Sequence, residues 1–363
     1  MRFNQRLLLS FDWVLLLSVL ALTAIGLAAI WSTTDGTDLD RYFSRQLMYV
    51  GLSILAFLVI LYFDYHLYSD FVYFAYSTGL LVLLIVLVIG HSTHGNKSWL
   101  QLGKFQFQPS EIVKFITLVA LAKYYSETER EYLELRELII GGAIVAIPMI
   151  LVDLQGDRGT AVTFLQVYAS LSYIAGIKRK HVVVIVLTCL LAAPAGWMML
   201  RDYQKGRIET VFNPSNDPRG LGYQALQSEI AIGSGRFFGK GFRHGSQGQL
   251  GFLPARHTDF VFAAWAEERG FIGGMALLGL LLLMSLRLLK GAREAKDRIG
   301  SMMVVGVLAT LLFHVMINAG MVVGLLPIAG IPLPFVSAGG SSLISCFVAI
   351  GLCMNIRMRR YVN

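Results

Sequence analysis

The sequence predicts an all-α integral membrane protein with about ten transmembrane helices and one long extracytoplasmic loop. Hydrophobic residues make up 55% of its 363 positions and charged residues only 15%, whereas soluble domains are roughly one quarter charged. Several uncharged runs reach about 20 residues, the length at which a helix crosses the bilayer core. Lys and Arg are concentrated in alternate loops, a further property of multi-span proteins.

Ten spans are predicted, most of them as uncharged runs. They cover 13–31, 47–63, 71–90, 112–125, 138–152, 159–177, 182–200, 260–286, 299–323 and 336–356. We expect 260–286 to be one continuous helix that begins outside the bilayer core, because about 40 Å of helix exceeds the core's thickness. The uncharged stretch from 324 to 340 contains Pro327, Pro332 and Pro334, which predict a loop or re-entrant turn.

The basic residues predict the orientation. One set of alternate loops, which includes both termini, holds 16 Lys and Arg, and the short loops of the other set hold five. By the positive-inside rule both termini are cytoplasmic, in a single polytopic domain spanning 1–363. The net charge of +8 therefore reflects membrane topology and does not indicate a nucleic-acid partner.

The long loop, residues 201–258, is then extracytoplasmic. It contains ten glycines and eight Lys or Arg. Tyr223, Leu226 and Ile230 recur in it at helical spacing, which predicts a short amphipathic helix resting on the membrane.

Glu111 and Lys114 lie one helical turn apart at the predicted outer end of the fourth span, just after Pro109, which suits a first helical turn. Ionisable residues within spans are costly and often mark a functional cavity. The sequence leaves two interpretations open, a substrate site and an ion pair that holds helices together.

Asp157 lies in a short predicted outer loop, Gln155 to Thr160. Its residue type and position favour an N-cap for the helix that follows, with a functional role as the alternative.

Asp259 precedes the eighth span, beside the apolar residues Phe260 and Phe262. A carboxylate in such surroundings is suited to a raised pKa and a general-base role. A solvated aspartate that complements the helix dipole is the alternative.

A glycine-rich stretch from Gly233 to Phe242 contains Arg236 and Lys240 but matches no nucleotide-binding fingerprint. Its glycines would let backbone N–H groups and cations approach a phosphate, or would let the loop fold back against a helix. His and Cys residues show no metal-ligand spacing.

Several motifs together resemble the SEDS (shape, elongation, division and sporulation) family of polytopic peptidoglycan glycosyltransferases over nearly the whole chain. The blocks that carry the resemblance are 107–111 (FQPSE), 222–224 (GYQ), 227–228 (QS), 230–235 (IAIGSG), 239–241 (GKG), 245–247 (GSQ), 252–254 (FLP), 257–260 (HTDF), 266–268 (AEE), 318–321 (NAGM) and 339–342 (GGSS). Within the family, the sequence GIPLPF at 330–335 resembles the elongation branch, represented by RodA, more than the division branch, represented by FtsW.

The chain departs from the family's pattern at two places. Gly156 and Arg158 flank Asp157 where the family usually has Pro and Leu, and Ala338 replaces an aromatic residue. The added cation at Arg158 is expected to alter the charge around Asp157.

The resemblance implies a glycosyltransferase that polymerises lipid II in the cell membrane, with an undecaprenyl diphosphate leaving group. It implies Asp259 as the general base, and Lys114, Arg207 and Lys240 as candidate diphosphate contacts, with Glu111 orienting Lys114. Asp157 would hold a sugar hydroxyl or a divalent cation, Mg²⁺ or Mn²⁺; no cofactor is implied with certainty. The implied partners are a class B penicillin-binding protein, which is a transpeptidase, and the elongation machinery.

The alternative function is a transporter that flips lipid II, which polar residues within spans and Pro/Gly-broken helices would also suit. Against it, Glu111, Lys114, Asp157 and Asp259 all lie at predicted outer ends of spans, and no matching set is expected at the inner ends.

Overall fold

The computed structural model describes residues 10–34, 40–93, 96–102, 105–128, 130, 132–199, 202–214, 217 and 220–361. Its helices are α1 (Trp13–Thr34), α2 (Asp40–Tyr62), α3 (Tyr65–Asp70), α4 (Val72–Ile89), α5 (Pro109–Ser126), α6 (Leu135–Leu154), α7 (Arg158–Ile174), α8 (Arg179–Met199), α9 (Asp202–Phe212), α10 (Leu221–Gly235), α11 (Ser246–Gln249), α12 (Val261–Arg293), α13 (Arg298–Val322) and α14 (Gly340–Met358).

Ten of the described helices have at least 17 residues, and they coincide with the ten predicted spans. Seven of these, α1, α2, α4, α6, α12, α13 and α14, are long and apolar enough to cross a membrane on length and composition. The other three are α5, α7 and α8. The protein is therefore a mostly helical, multi-pass membrane protein, as the composition predicts.

A small antiparallel sheet, which was not predicted from the sequence, joins α4 to α5. Its strands, in the order β1-β2-β3, are β1 (His91–Thr93), β2 (Asn96–Leu102) and β3 (Phe105–Phe107). The N–H of Lys97 on β2 donates to the carbonyl of Gln155 over 2.9 Å, so the sheet is attached to the turn that precedes Asp157.

Charged residues join the helix ends at the face of the bundle that contains Asp12 and Arg357, which we call the terminal face. Asp12 is 2% exposed and accepts hydrogen bonds from Arg287 at 2.9–3.1 Å, and it also pairs with Arg357. This cluster connects α1, α12 and α14. The expectation that no matching set of polar residues lies at the opposite ends of the spans is therefore wrong.

The opposite end of the bundle, which carries α9, α10 and α11, is the loop face. The predicted amphipathic helix is α10. Its buried side consists of small residues, Gly222, Ala225, Ser228, Ala231 and Gly235, which allow close packing against the rest of the protein. Leu226 and Ile230 are 46% and 41% exposed, so the apolar side predicted from the spacing faces outward. Contact of this side with the membrane stays a prediction.

Helix α12 is broken at Gly270, so the prediction of one continuous helix is wrong. Gly270 has φ 67° and ψ −165°, outside the helical region. The loop 236–241 lies against the break: the N–H of Phe271 donates to Arg236 O over 2.7 Å, and the N–H of Lys240 donates to Glu267 O over 3.0 Å. The loop thus supplies hydrogen-bond partners for backbone groups that the broken helix cannot pair within itself.

The glycines of this loop are explained by the same contact. A Cβ on Gly239 would lie 2.1 Å from the carbonyl oxygen of Glu268, and one on Gly235 would lie 2.2 Å from that of Ala266. Of the two interpretations of the glycine-rich stretch, the structure supports the one in which a loop folds back against a helix.

Residues 323–339, which we call the α13–α14 connection, contain no helix and enter the bundle, as the prolines predict. A Cβ on Gly26 of α1 would lie 2.6 Å from Val336 O, and the ring of His314 on α13 lies 3.3 Å from Pro332 O. Gly26 and His314 each lie eight residues from the loop-face end of their helix, about 12 Å at 1.5 Å per residue. The connection is therefore re-entrant.

Candidate active site

Asp259 lies directly before α12, with a half-buried side chain beside the α13–α14 connection. A Cβ on Gly330 would lie 3.9 Å from Oδ2 of Asp259. Gly330 has φ +67°, a conformation that favours glycine and brings this part of the connection close to the carboxyl group. The carbonyl of Asp259 accepts a hydrogen bond from Nδ2 of Asn318 over 3.0 Å, which fixes its backbone.

His257, two residues earlier, adds no positive charge to the site near neutral pH. Burial lowers the pKa of His257 to about 4, with a further contribution from the charge of Arg256. Its ring packs against Tyr42, with 4.4 Å between ring centroids. The imidazole of His257 is therefore uncharged near neutral pH, and the cation of this turn is Arg256.

Asp157 caps α7, as its residue type predicts. Its Oδ1 accepts from the N–H of Thr160 over 3.2 Å, and its Oδ2 accepts from the side-chain amide of Gln108. Burial raises the pKa of Asp157, and the negative charge of Glu111 raises it further, against hydrogen bonds that lower it. Asp157 is thus a carboxyl group for which ionisation is costly.

The two departures from the family's pattern around Asp157 have local explanations. Arg158 is directed to Asp153, with 3.4 Å between Nε and Oδ1. Gly156 has φ +88°, the left-handed region that glycine occupies without strain. Farther along the chain, the backbone N–H of Ala338 donates a hydrogen bond to His257 O over 2.8 Å. This bond does not depend on the side chain of residue 338.

Glu111 and Lys114 form a buried ion pair, with 3.2 Å between Oε2 and Nζ and exposures of 4% and 1%. The ammonium group of Lys114 also lies 3.3 Å from Nε2 of His314, and Ser345 donates to Glu111 over 3.4 Å. The pair connects α5 with α13 and α14, as the ion-pair interpretation expects. The substrate interpretation stays a prediction.

The α13–α14 connection brings most of the predicted site residues together. A Cβ on Gly159, two residues after Asp157, would lie 2.5 Å from Ala329 O. The next residues along the connection are Gly330, beside Asp259, then Ile331, bound by Asn318, and Pro332, bound by His314. Four consecutive residues thus link Asp157, Asp259 and the Glu111–Lys114 pair.

Arg207 adjoins the first part of the same connection. It lines a cleft with Thr210 and Glu229 on one side and Pro327 and Ile328 on the other. The cleft lies between α9, α10 and residues 321–328.

Lys240 is engaged elsewhere. Its ammonium group lies 2.6 Å from Oε1 of the fully buried Glu267 and 2.8 Å from the hydroxyl of Ser246. Glu267 also accepts from the N–H groups of Gln247 and Gly248 at 3.0 and 3.2 Å. Lys240 is held in the loop 239–249, and its contact with a diphosphate stays a prediction.

The described residues contain no group of three or more His, Cys, Asp or Glu side chains that could hold a metal ion. Both oxygens of Asp157 accept hydrogen bonds from protein donors. These residues do not fit a protein-held Mg²⁺ or Mn²⁺.

His314, Asn318 and Ser337 were not identified as site residues from the sequence. A signal was present for two of them, because His314 and Asn318 are polar, four residues apart and on one side of an otherwise apolar span. Ser337 gave no comparable signal, since it lies in a loop.

The chain is similar to known proteins over nearly its whole length. Residues 7–362 match the model of the FtsW/RodA/SpoVE family, described as cell cycle protein. The chain belongs to this family. FtsW, RodA and SpoVE are SEDS proteins, so the resemblance drawn from the motifs is confirmed.

A curated relative of this SEDS protein is the peptidoglycan glycosyltransferase MrdB of Escherichia coli (strain K12), 35% identical over 96% of this chain and 94% of MrdB. One similar solved structure is described as structural coordination of polymerization and crosslinking by a peptidoglycan synthase complex. Its TM-score is 0.84, and its sequence is 30% identical over 97% of this chain and 99% of that chain. The crystal structure of RodA from Thermus thermophilus matches with a TM-score of 0.73 and 28% identity over 97% of this chain and 98% of that one. These relatives support the RodA-like assignment.

Proposed function

We propose that this SEDS protein is a peptidoglycan glycosyltransferase that polymerises lipid II into glycan strands during cell elongation. Family membership and the name of the relative MrdB support the activity. The observation that carries the mechanism is the half-buried carboxyl group of Asp259, held beside the re-entrant connection at the loop face. A fixed base at this position is what an inverting transfer requires.

In the proposed reaction, the hydroxyl oxygen of the acceptor sugar attacks the anomeric carbon of the donor. Asp259 accepts the hydroxyl proton as the new glycosidic bond forms. The bond between the anomeric carbon and the diphosphate oxygen breaks, and undecaprenyl diphosphate leaves with the electron pair. Configuration at the anomeric carbon is inverted.

The departing diphosphate needs a cation, and Arg207 is our proposed contact because it borders the connection that adjoins Asp259. Lys114 and Lys240 already bind Glu111 and Glu267, which favours supporting roles for both lysines. Asp157, whose pKa is raised by burial, is our proposed contact for a sugar hydroxyl.

We also propose that the loop face is extracytoplasmic and the terminal face cytoplasmic, on the basis of the Lys and Arg distribution. A membrane-impermeant maleimide tests this orientation in intact cells. In a Cys189→Ala background, Glu209→Cys should be labelled from outside and Arg136→Cys only after permeabilisation. Labelling of the opposite pattern would overturn the orientation and the placement of the site.

Purified chain in liposomes distinguishes polymerase from flippase. With lipid II as the only substrate, a polymerase produces glycan strands that a gel resolves. A flippase instead moves a fluorescent lipid II analogue between leaflets without forming polymer. Transport without polymer would reject the proposed function.

A class B penicillin-binding protein, a transpeptidase, is the proposed partner. The similarity to a chain of a peptidoglycan synthase complex supports it. Co-purification of the tagged chain from native membranes should recover such a transpeptidase, and a chain that is consistently recovered alone would count against the pairing.

A further inference from the structure

The backbone around Asp259 is held by more hydrogen bonds than a general-base role for this residue requires. Three consecutive carbonyl groups, those of His257, Thr258 and Asp259, each accept a hydrogen bond from another part of the chain. Their donors are the N–H of Ala338 at 2.8 Å, the hydroxyl of Ser337 at 2.7 Å and the amide of Asn318 at 3.0 Å.

Asn318 holds two segments at once. Its Nδ2 group donates to Asp259 O over 3.0 Å and to Ile331 O over 2.9 Å, and its side chain is fully buried. An amide nitrogen has two hydrogens, so both are used. Because Ile331 follows Gly330, which faces the Asp259 carboxyl, this one amide sets the separation between the carboxyl and the connection.

Ser337 makes a parallel link. Its hydroxyl donates to Thr258 O over 2.7 Å and accepts from the N–H of Leu333 over 2.9 Å. Ser337 is 5% exposed. Asn318 on α13 and Ser337 in the connection therefore fix the turn before α12 from two independent elements.

We propose that Asn318 and Ser337 are positioning residues, which act on glycan polymerisation through the orientation of Asp259 and touch no substrate. This inference rests on the proposed function, with Asp259 as the base. A base contributes only when it is within hydrogen-bond reach of the proton it accepts, and a displacement of about 1 Å is able to cost roughly 100-fold in rate.

The test uses the purified full chain in liposomes with lipid II. Asn318→Leu has a similar volume and lacks both donors. We expect kcat to fall about 10- to 100-fold, with the KM for lipid II within about twofold of wild type. Thr310→Val is the matched control, because Thr310 is fully buried on the same helix and its hydroxyl donates to Gly306 O within α13. It should keep wild-type kcat.

A double-variant cycle separates positioning from a general effect on the fold. If Asn318 acts only through Asp259, adding Asn318→Leu to Asp259→Asn should slow the reaction no further. A merely structural role would lower the rate of the double variant by the same factor as in wild type, and that additivity would overturn the proposal. So would a single variant with wild-type kcat, or one in which only KM changes.

Ser337→Ala provides the second variant if Asn318→Leu does not fold. It removes one hydroxyl and should lower kcat in the same way, again without effect in the Asp259→Asn background. Unchanged kcat in a folded Ser337→Ala protein would overturn the proposal for this residue. Failure of the proposed function is recognised separately, because wild-type chain would then form no polymer from lipid II.

Discussion

The ammonium group of Lys240 lies 2.6 Å from the carboxylate of Glu267, whose side chain is completely buried. Glu267 belongs to the first part of α12, before the break at Gly270, and Lys240 belongs to the loop packed against that break. The pair therefore attaches the loop to the helix that begins beside Asp259.

The first prediction concerns this pair. Lys240→Met leaves a buried carboxylate without its cation, and breaking such a pair costs about 3 kcal/mol or more; the partial exposure of Lys240, 27%, reduces this figure through solvent screening. We expect a clearly lower melting temperature of the detergent-solubilised chain. Lys290→Met is the control, since Lys290 pairs with Glu294 at 3.7 Å on the surface and is 54% exposed. Equal melting of the two variants would contradict the role assigned to Lys240.

The second prediction separates the two interpretations of Glu111 and Lys114. Lys114→Met alone should fold poorly, because Glu111 would be left charged in the bundle, at a cost of about 3–5 kcal/mol. The double variant Glu111→Leu/Lys114→Met removes both charges and should recover much of that stability. Polymer formation by the recovered protein indicates a structural pair. A stable double variant that forms no polymer indicates that the pair acts on the substrate.

The helices could be predicted from the sequence because the signal for them is local. Each span is a run of apolar residues, and the charges between runs define its ends; α5 begins at Pro109 and α7 is capped by Asp157, as their residue types predict. The break in α12 could not be predicted, because nothing local distinguishes Gly270 from a tolerated helical glycine such as Gly279. It depends on a loop more than 25 positions earlier in the chain.

The candidate site was predicted in part for the same reason. Asp157, Glu111 and Asp259 were each identified by residue type at a span end. Their grouping depends on the path of the α13–α14 connection through the bundle, which hydrophobicity does not specify. Lys240 was selected because cations suit a diphosphate, and its pairing with Glu267 depends on how the loop folds.

The third prediction follows from the raised pKa of Asp157. Because the folded chain holds this proton more tightly than the unfolded chain, stability contributed by Asp157 is lost as pH rises from its ordinary value of 3.8 through the raised folded value. Asp157→Asn keeps a capping side chain without the charge. At pH 7 it should melt at the same or a higher temperature than wild type, and the difference should shrink as the pH is lowered towards 4. A variant that is less stable at pH 7 would contradict this account.

The fourth prediction compares two glycines of α12. A Cβ on Gly270 would lie 2.3 Å from Gly239 N and 2.5 Å from Phe237 O, and the backbone there has positive φ. Gly270→Ala should therefore destabilise the chain by more than the roughly 1–2 kcal/mol that a positive φ alone costs a residue with a Cβ. Gly279→Ala is the matched control, since no heavy atom lies within 4 Å of its Cβ position. Thermal melts of both variants provide the measurement, and a Gly270→Ala protein as stable as the control would show that the break is not required.

Polymer formation by Asp259→Asn tests the central claim most directly. The substitution keeps the size and hydrogen bonding of the side chain but removes its ability to accept a proton, and a positioned base contributes roughly 10²–10⁴-fold to rate. Asp153→Asn is the control, because Asp153 is a surface carboxylate near the same face, 52% exposed and paired with Arg158. We predict that Asp259→Asn melts like wild type and forms almost no polymer from lipid II, while Asp153→Asn retains polymerisation. Near-normal polymer from a folded Asp259→Asn protein would contradict the assignment of the base and direct attention to Asp157 or Glu111.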